Sequence, residues 1–147
     1  MDLDELIARE AIRDLVARYN ATADTGRFDD TIDLFAEDAV MEIGDEVLAG
    51  REAIREMFAA TRDSIAGRAG EQPAYVRHLT ATLQIDLESS TTATARCYFQ
   101  VLMAHGLDHW GRYLDRLGLV DGRWRFTHRR VLIDGRAAGG WASSSAR

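Results

Sequence analysis

The chain has 147 residues, 46% of them apolar and 29% charged, which suits one globular domain around a single hydrophobic core. Its 18 basic residues, all arginine, are outnumbered by 24 acidic ones, and the net charge of −6 argues against a nucleic-acid-binding surface. The lack of lysine excludes lysine catalysis, and the single cysteine, Cys97, excludes an intrachain disulfide. No apolar run approaches the roughly 20 residues that span a bilayer, and the N-terminus is too acidic for a targeting peptide. We therefore expect a cytoplasmic protein with no membrane partner.

The first predicted element is an amphipathic helix that starts after Asp2 and ends between Ala23 and Thr25. Asp2 and Glu5 have the spacing of a capping box, and Gly26 favours a helix stop. The apolar residues recur at spacings of three and four, and they are Leu3, Leu6, Ile7, Ile12, Leu15, Val16 and Tyr19.

Two further helices are predicted before the pattern changes. A short helix over Phe28–Ala36 leads into a brief strand, Ala39–Ile43, and a helix after Gly50 carries the next apolar stripe. The glycine-rich stretch 66–72, which precedes the only proline, Pro73, predicts a loop.

From Tyr75 onward the apolar residues recur with a period of two, which predicts long antiparallel strands. The first of these strands has one apolar face, made of Leu79, Ala81, Leu83, Ile85 and Leu87. The next three cover Thr92–Ala104, about His109–Val120, and Arg123–Ile133, and Asp121-Gly122 predicts a type I′ hairpin turn between the last two. Residues 137–147 are rich in small residues and predict a flexible tail, except around Trp141.

Helices first and strands afterwards predict a single α+β domain over residues 1–136, with the helices covering one face of a curved, mainly antiparallel sheet. A sheet that bends around a long helix leaves a cavity suited to a small apolar ligand.

Three residues form the first candidate site. His78 has the residue type to take and return a proton near neutral pH, Asp24 could fix its tautomer, and Tyr19 could donate a hydrogen bond to a developing oxyanion. Spacing alone favours a core tyrosine, a helix-end aspartate and a satisfied buried histidine, because the sequence does not show that the three residues meet.

His105 and His109 flank Asp108 and have the four-residue spacing of metal ligands on a helix. Because this segment is predicted to be a strand end and loop without a third ligand, we expect no metal site and no cofactor. One of the two histidines could instead contact a bound ligand.

Arg129 and Arg130 must point to opposite faces of the last strand. A regular hairpin places Arg130 on the face of Trp124 and Phe126, whereas a β-bulge would turn Arg129 to that face.

The chain resembles the SnoaL-like branch of the nuclear transport factor 2-like superfamily over nearly its whole length. The resemblance rests on several short motifs in a fixed order, which are IRDLVARY at 12–19, LFAEDAV at 34–40, GREAI at 50–54, Arg77-His78, GRY at 111–113 and DGRWRF at 121–126. It implies a cone-shaped fold, with three N-terminal helices packed in the concave face of the curved sheet, and often a homodimer formed through that sheet. For that dimer we expect outward-facing small residues such as Ala93 and Ala95.

Within this superfamily the chain resembles the scytalone dehydratase and bile acid 7-alpha dehydratase branch, which uses a histidine–aspartate pair. The resemblance implies that His78, Asp24 and Tyr19 are catalytic, and the related hexachlorocyclohexane dehydrochlorinases imply the same of Arg129 rather than Arg130. The residues expected to contact the substrate are Phe35, Phe58, Phe99, Val101, His105 and Tyr113. The implied activity is a cofactor-independent, dehydratase-like lyase acting on a small, largely apolar cyclic substrate. The alternatives are an isomerase or polyketide cyclase, and a non-catalytic binding or dimerisation module.

Overall fold

Helices and strands follow one another along residues 1–69 and 75–145, the part of the chain that the computed structural model describes. The helices are α1 (Leu3–Asp24), α2 (Phe28–Asp33), α3 (Gly50–Ala69) and α4 (Trp141–Ser145). The strands are β1 (Phe35–Ile43), β2 (Glu46–Ala49), β3 (Val76–Leu87), β4 (Thr92–Met103), β5 (Gly106–Val120) and β6 (Arg123–Arg136).

The strands form one six-stranded sheet in the order β2-β1-β6-β5-β4-β3. Neighbours are antiparallel except β1 and β6, which run parallel. Helices α1, α2 and α3 share one hydrophobic core with a single face of this sheet. The predicted α+β fold with N-terminal helices on a curved, mainly antiparallel sheet is therefore confirmed.

The predicted start and stop of α1 are confirmed. The amide of Glu5 donates to Asp2 Oδ1 at 2.9 Å, the amide of Asp2 donates to Glu5 Oε2 at 3.1 Å, and Gly26 follows the helix with a φ of +74°. The apolar stripe is only partly buried, because the packed portion of α1 starts at Ile12. The three residues that remain more than half exposed are Leu3, Leu6 and Ile7.

Three predicted boundaries are wrong, and one of them is the start of the first strand, which lies at Phe35 rather than Ala39. The second helix ends at Asp33 rather than Ala36, because Phe35 already pairs with Phe126 of β6 and the amide of Phe126 donates to the carbonyl of Leu34 at 2.9 Å. Tertiary pairing here overrides the helical pattern. Helix α3 continues through the predicted loop to Ala69, and the remainder of that loop, with Pro73, lies outside the described residues.

The predicted hairpin turn is confirmed, since Asp121 and Gly122 both have positive φ, as a type I′ turn requires. The expectation that Ala93 and Ala95 face outward is wrong. Both are buried on the inner face, in line with Cys97 on alternate positions of β4.

A β-bulge in β3 reverses the predicted face of its first half. Ala81 pairs with Tyr98 and Gln84 with Arg96, so the extra residue falls around Thr82, whose φ is +58°. On the C-terminal side of the bulge Ile85 is buried as predicted, but on the N-terminal side Leu79 is 49% exposed. His78, opposite the buried Val101, takes the inner face instead.

A second bulge, at Thr127 in β6, decides between the two arginines. Phe126 pairs with Leu117 and His128 with Arg116, so the alternation shifts by one residue between them. Arg129 is consequently buried with Phe126, and Arg130 is exposed on the opposite face.

The C-terminal segment differs from the predicted flexible tail. From Ala137, whose amide donates to the carbonyl of Asp108 at 2.7 Å, the chain folds back to the sheet and forms α4. Gly140 and Ala142 are buried in this segment. Among the described residues, no helix combines the length and apolar character needed to cross a bilayer.

Candidate active site

Asp24 and His78 meet although they are 54 residues apart in sequence. Asp24 is the last residue of α1, and His78 lies at the start of β3 above the Thr82 bulge. Asp24 Oδ1 lies 2.6 Å from His78 Nδ1, and Asp24 Oδ2 accepts the backbone N–H of His78 at 2.8 Å. The predicted contact is present, and it fixes both the backbone and the ring of the histidine.

The two hydrogen bonds determine how the imidazole is presented. Because the Asp24 carboxylate only accepts hydrogen bonds, the neutral imidazole of His78 carries its proton on Nδ1 and has its free lone pair on Nε2. The Asp24 side chain is 6% exposed and that of His78 is 24% exposed, so the carboxylate is shielded from water while the ring reaches an open space.

That open space is a cavity of about 590 Å³ between the helices and the inner face of the sheet. His78, Asp24 and Tyr19 all line it. Of the residues expected to contact a substrate, four line the cavity, namely Phe58, Phe99, Val101 and Tyr113. Most of the remaining wall is apolar, which is typical of small-molecule sites.

Tyr19 is held by four aromatic rings that meet it edge to face at centroid distances of 5.8–6.0 Å, those of Phe35, Phe58, Tyr113 and Phe126. Burial raises the pKa of the Tyr19 hydroxyl, and the nearby Arg129 guanidinium offsets only part of this rise. The hydroxyl therefore stays protonated over the physiological pH range and is available as a hydrogen-bond donor.

Arg129 is buried in the core instead of lining the cavity. Its Nε and Nη2 atoms donate to the two carboxylate oxygens of Asp115 at 2.7 and 2.8 Å, and both side chains are 0% exposed. Its guanidinium carbon also lies 4.0–4.2 Å from the centroids of three rings, those of Tyr19, Tyr113 and Phe126. Arg129 thus packs against Tyr19 and Tyr113, which line the cavity, without lining it itself. The fully buried Phe35 likewise packs against Tyr19 and does not line the cavity.

His109, rather than His105, lies at the cavity wall. A bulge at Asp108, between the pairs Val101–His109 and Leu102–Leu107, lets both Asp108 and His109 turn to the buried side. The His105 side chain is 45% exposed and does not line the cavity. Its Nε2 lies 2.9 Å from Asp108 Oδ2. A period-two pattern could not reveal this bulge.

Several cavity residues were not predicted. The clearest examples are Phe28, Met41, Met57, Met103, Ile133 and Trp141. A buried apolar stripe has the same sequence pattern whether it fills a core or lines a cavity, so the pattern could not single these residues out. Within residues 1–69 and 75–145, no three histidine, cysteine or acidic side chains are grouped to hold a metal ion.

This cavity between N-terminal helices and a curved sheet defines the class of fold, and the family follows from the sequence match. The family model of the SnoaL-like domain matches residues 4–130, so the chain belongs to the SnoaL-like domain family. Comparison with proteins of curated function finds no match.

Solved structures show the same fold. The Mycobacterium tuberculosis protein Rv3472, described as of unknown function, is 30% identical with a TM-score of 0.77, and the match covers 97% of this chain and 79% of that chain. A proposed scytalone dehydratase from Novosphingobium aromaticivorans is 20% identical, with a TM-score of 0.80 and coverage of 93% and 91%. LinA is 20% identical, with a TM-score of 0.79 and coverage of 94% and 95%.

Proposed function

We propose that the protein is a cofactor-independent lyase that eliminates water or a comparable small leaving group from a small, largely apolar ring compound. The observation that carries this proposal is the Asp24–His78 pair at the wall of the cavity, with two hydrogen bonds of 2.6 and 2.8 Å fixing the imidazole. The similarity in fold to a proposed scytalone dehydratase supports the same class of reaction.

In the proposed step, His78 Nε2 takes a proton from a carbon atom next to the carbon that bears the leaving group. The electron pair of the broken C–H bond forms the new double bond, and the bond to the leaving oxygen breaks. The imidazolium then returns the proton to the departing hydroxyl, so water leaves and His78 is neutral again. The Asp24 carboxylate stabilises the imidazolium during this exchange.

The cavity supports the electrostatic part of the reaction. Its walls are mostly apolar, so a substrate displaces water and the few polar groups act in a low dielectric. Tyr19 supplies a protonated hydroxyl for a carbonyl or leaving oxygen.

Tyr19→Phe is expected to lower kcat by about 10²–10³-fold, the usual effect of removing one donor to a developing oxyanion. The melting temperature should change little, because the four ring contacts of Tyr19 are kept. Steady-state kinetics and thermal unfolding of the same preparation measure both. A kcat within a few-fold of the wild type would remove Tyr19 from the mechanism.

The product identifies the reaction class. A lyase gives a ring product lighter by one water, whereas an isomerase using the same proton abstraction gives a product of unchanged mass. Mass spectrometry after incubation with candidate ring substrates distinguishes the two. We expect activity to survive a metal chelator, since the proposed step uses only His78, Asp24 and Tyr19.

We also propose that the protein is a homodimer formed through the outer face of the sheet. Neighbouring strands expose Leu79, Tyr98 and Trp110 there, at 49%, 56% and 36%, and Leu79 and Trp110 both pair with Gln100 of β4. Exposed apolar side chains grouped on one face of a sheet in this way mark interaction sites.

Light scattering at micromolar concentration should give about twice the chain mass of 16.4 kDa. The double variant Tyr98→Glu with Trp110→Glu should give the single-chain mass, because it places charge in the apolar patch. Val47→Glu, at a site on β2 that is 62% exposed and lies outside this group of residues, is the matched control. A wild type that runs only as a monomer would contradict the proposal.

A further inference from the structure

A second histidine–aspartate pair faces the same cavity. His109 lines the cavity, and its Nδ1 lies 2.7 Å from Asp108 Oδ1. The His109 ring is edge-on to that of His78 with centroids 6.5 Å apart, and Phe99 lies about equally far from both, at 6.3 and 6.1 Å. The proposed lyase step uses only the first pair.

Asp108 is a fully buried carboxylate whose two oxygens are both occupied. Oδ1 also accepts the amide of Ala142 at 3.0 Å, and Oδ2 accepts the amide of Trp141 at 2.6 Å and lies 2.9 Å from His105 Nε2. Burial alone would raise the pKa of Asp108, but the hydrogen bonds from His109, Ala142 and Trp141 outweigh it and hold that pKa below its ordinary value. Asp108 is therefore an anion at pH 7, and its carboxylate only accepts hydrogen bonds.

This carboxylate fixes the state of His109. Burial lowers the pKa of His109, and the Asp108 carboxylate offsets only part of that effect, so the ring is neutral at pH 7. A neutral ring whose Nδ1–H donates to Asp108 has an unprotonated Nε2. Among the described residues Nε2 has no hydrogen-bond partner, and the ring lies at the cavity wall, so Nε2 is an acceptor that a ligand can satisfy.

The position of Asp108 is locked by the C-terminal segment. A Cβ at Gly140 would lie 2.5 Å from Asp108 Oδ2, so only glycine lets the chain pass this close to the carboxylate. The Trp141 and Ala142 amides then bind the carboxylate, and Trp141 Nε1 donates to Ser64 Oγ of α3 at 3.0 Å. The carboxylate thus cannot turn away from His109 while α4 is in place.

We propose that His109 is a specificity-determining residue, which binds a hydroxyl group of the ring substrate through Nε2, and that Asp108 is the positioning residue that keeps Nε2 an acceptor. This inference rests on the proposed function, since it assigns the substrate a hydroxyl group near the carbon that faces His78. A ligand that lacks the hydroxyl leaves a buried acceptor unpaired, which is the strongest basis for rejecting a close analogue.

Three bicyclic probes of similar size test the inference by calorimetry or fluorescence titration at pH 7. 2-Naphthol has a hydroxyl donor, 2-methoxynaphthalene has an oxygen acceptor without a donor, and naphthalene has neither. We expect the wild type to bind 2-naphthol about tenfold more tightly than 2-methoxynaphthalene, the usual size of one hydrogen bond to a buried group. His109→Leu should abolish this preference, and His78→Leu, the matched control, should retain it.

Two further variants keep the test decisive if His109→Leu does not fold. His109→Gln keeps an acceptor at the cavity wall and should retain part of the preference. Asp108→Asn can place its NH₂ group against Nδ1, which moves the ring proton to Nε2 and should shift the preference toward 2-methoxynaphthalene. A purely structural role for Asp108 would leave the order of the three probes unchanged.

The outcomes separate this inference from the proposed function. Equal binding of 2-naphthol and 2-methoxynaphthalene by the wild type, or a preference that survives His109→Leu and disappears in His78→Leu, overturns the role of His109 alone. Failure of all three probes to bind overturns the apolar ring-binding cavity, and with it both proposals.

Discussion

Replacing His78 with alanine is expected to abolish turnover, with kcat falling by about 10²–10⁴-fold, because the proposed reaction loses its general base. Binding of an unreactive ring compound should change little, since most of the cavity wall is apolar and is unchanged by the substitution. Single-turnover kinetics at saturating substrate measure the chemical step, and equilibrium titration measures binding.

Asp24→Asn should have an effect of similar size for a different reason. The carboxylate accepts two hydrogen bonds, from the His78 backbone and from Nδ1, and an asparagine has only one acceptor oxygen for them. If that oxygen binds the backbone, the amide NH₂ faces Nδ1 and drives the ring proton to Nε2. His78 would then present a donor where the reaction requires a base.

His128→Ala is the matched control for these variants. His128 is also paired to a carboxylate, with Nε2 2.6 Å from Glu42 Oε2, but it lies outside the cavity. Its removal should leave kcat unchanged within a few-fold. Activity that survives His78→Ala, or that falls equally in all three variants, would contradict the assignment of the base.

The second large effect is on stability. Asp115→Asn should lower the free energy of unfolding by about 3–5 kcal/mol, because it leaves the Arg129 cation buried without a counter-ion. Folded proteins are stable by only about 5–15 kcal/mol, so this loss should lower the melting temperature by roughly 10 °C. Urea unfolding followed by circular dichroism gives the free-energy change directly.

Asp134→Asn is the control for the buried pair. Asp134 also receives two guanidinium nitrogens, those of Arg112 at 3.0 Å, but both side chains are nearly half exposed. Exposed ion pairs contribute about 0–1 kcal/mol to the free energy of unfolding, so the urea unfolding curve should shift little. If Asp115→Asn has the same free energy of unfolding as the wild type, Arg129 does not depend on Asp115 for charge compensation. The stabilising role of the buried pair would then be wrong.

The sequence by itself determined the features that depend on neighbouring residues. The capping box at Asp2 and Glu5 starts α1, Gly26 ends it, and Asp121-Gly122 forms the predicted turn, because each signal acts within one turn of backbone. The change from a helical to a two-residue period likewise placed the helices before the long strands and gave the fold class. The motifs, in their order, indicated the family to which the chain belongs.

Only the tertiary structure decided which side chains face the cavity. Bulges at Thr82, Asp108 and Thr127 each shift the alternation of a strand by one residue. They turn His78 inward in place of Leu79, bring His109 rather than His105 to the cavity wall, and bury Arg129 in place of Arg130. A bulge adds one residue without changing the local composition, and its stability depends on strands that are distant in sequence. A period-two pattern of apolar residues therefore does not predict where a bulge occurs.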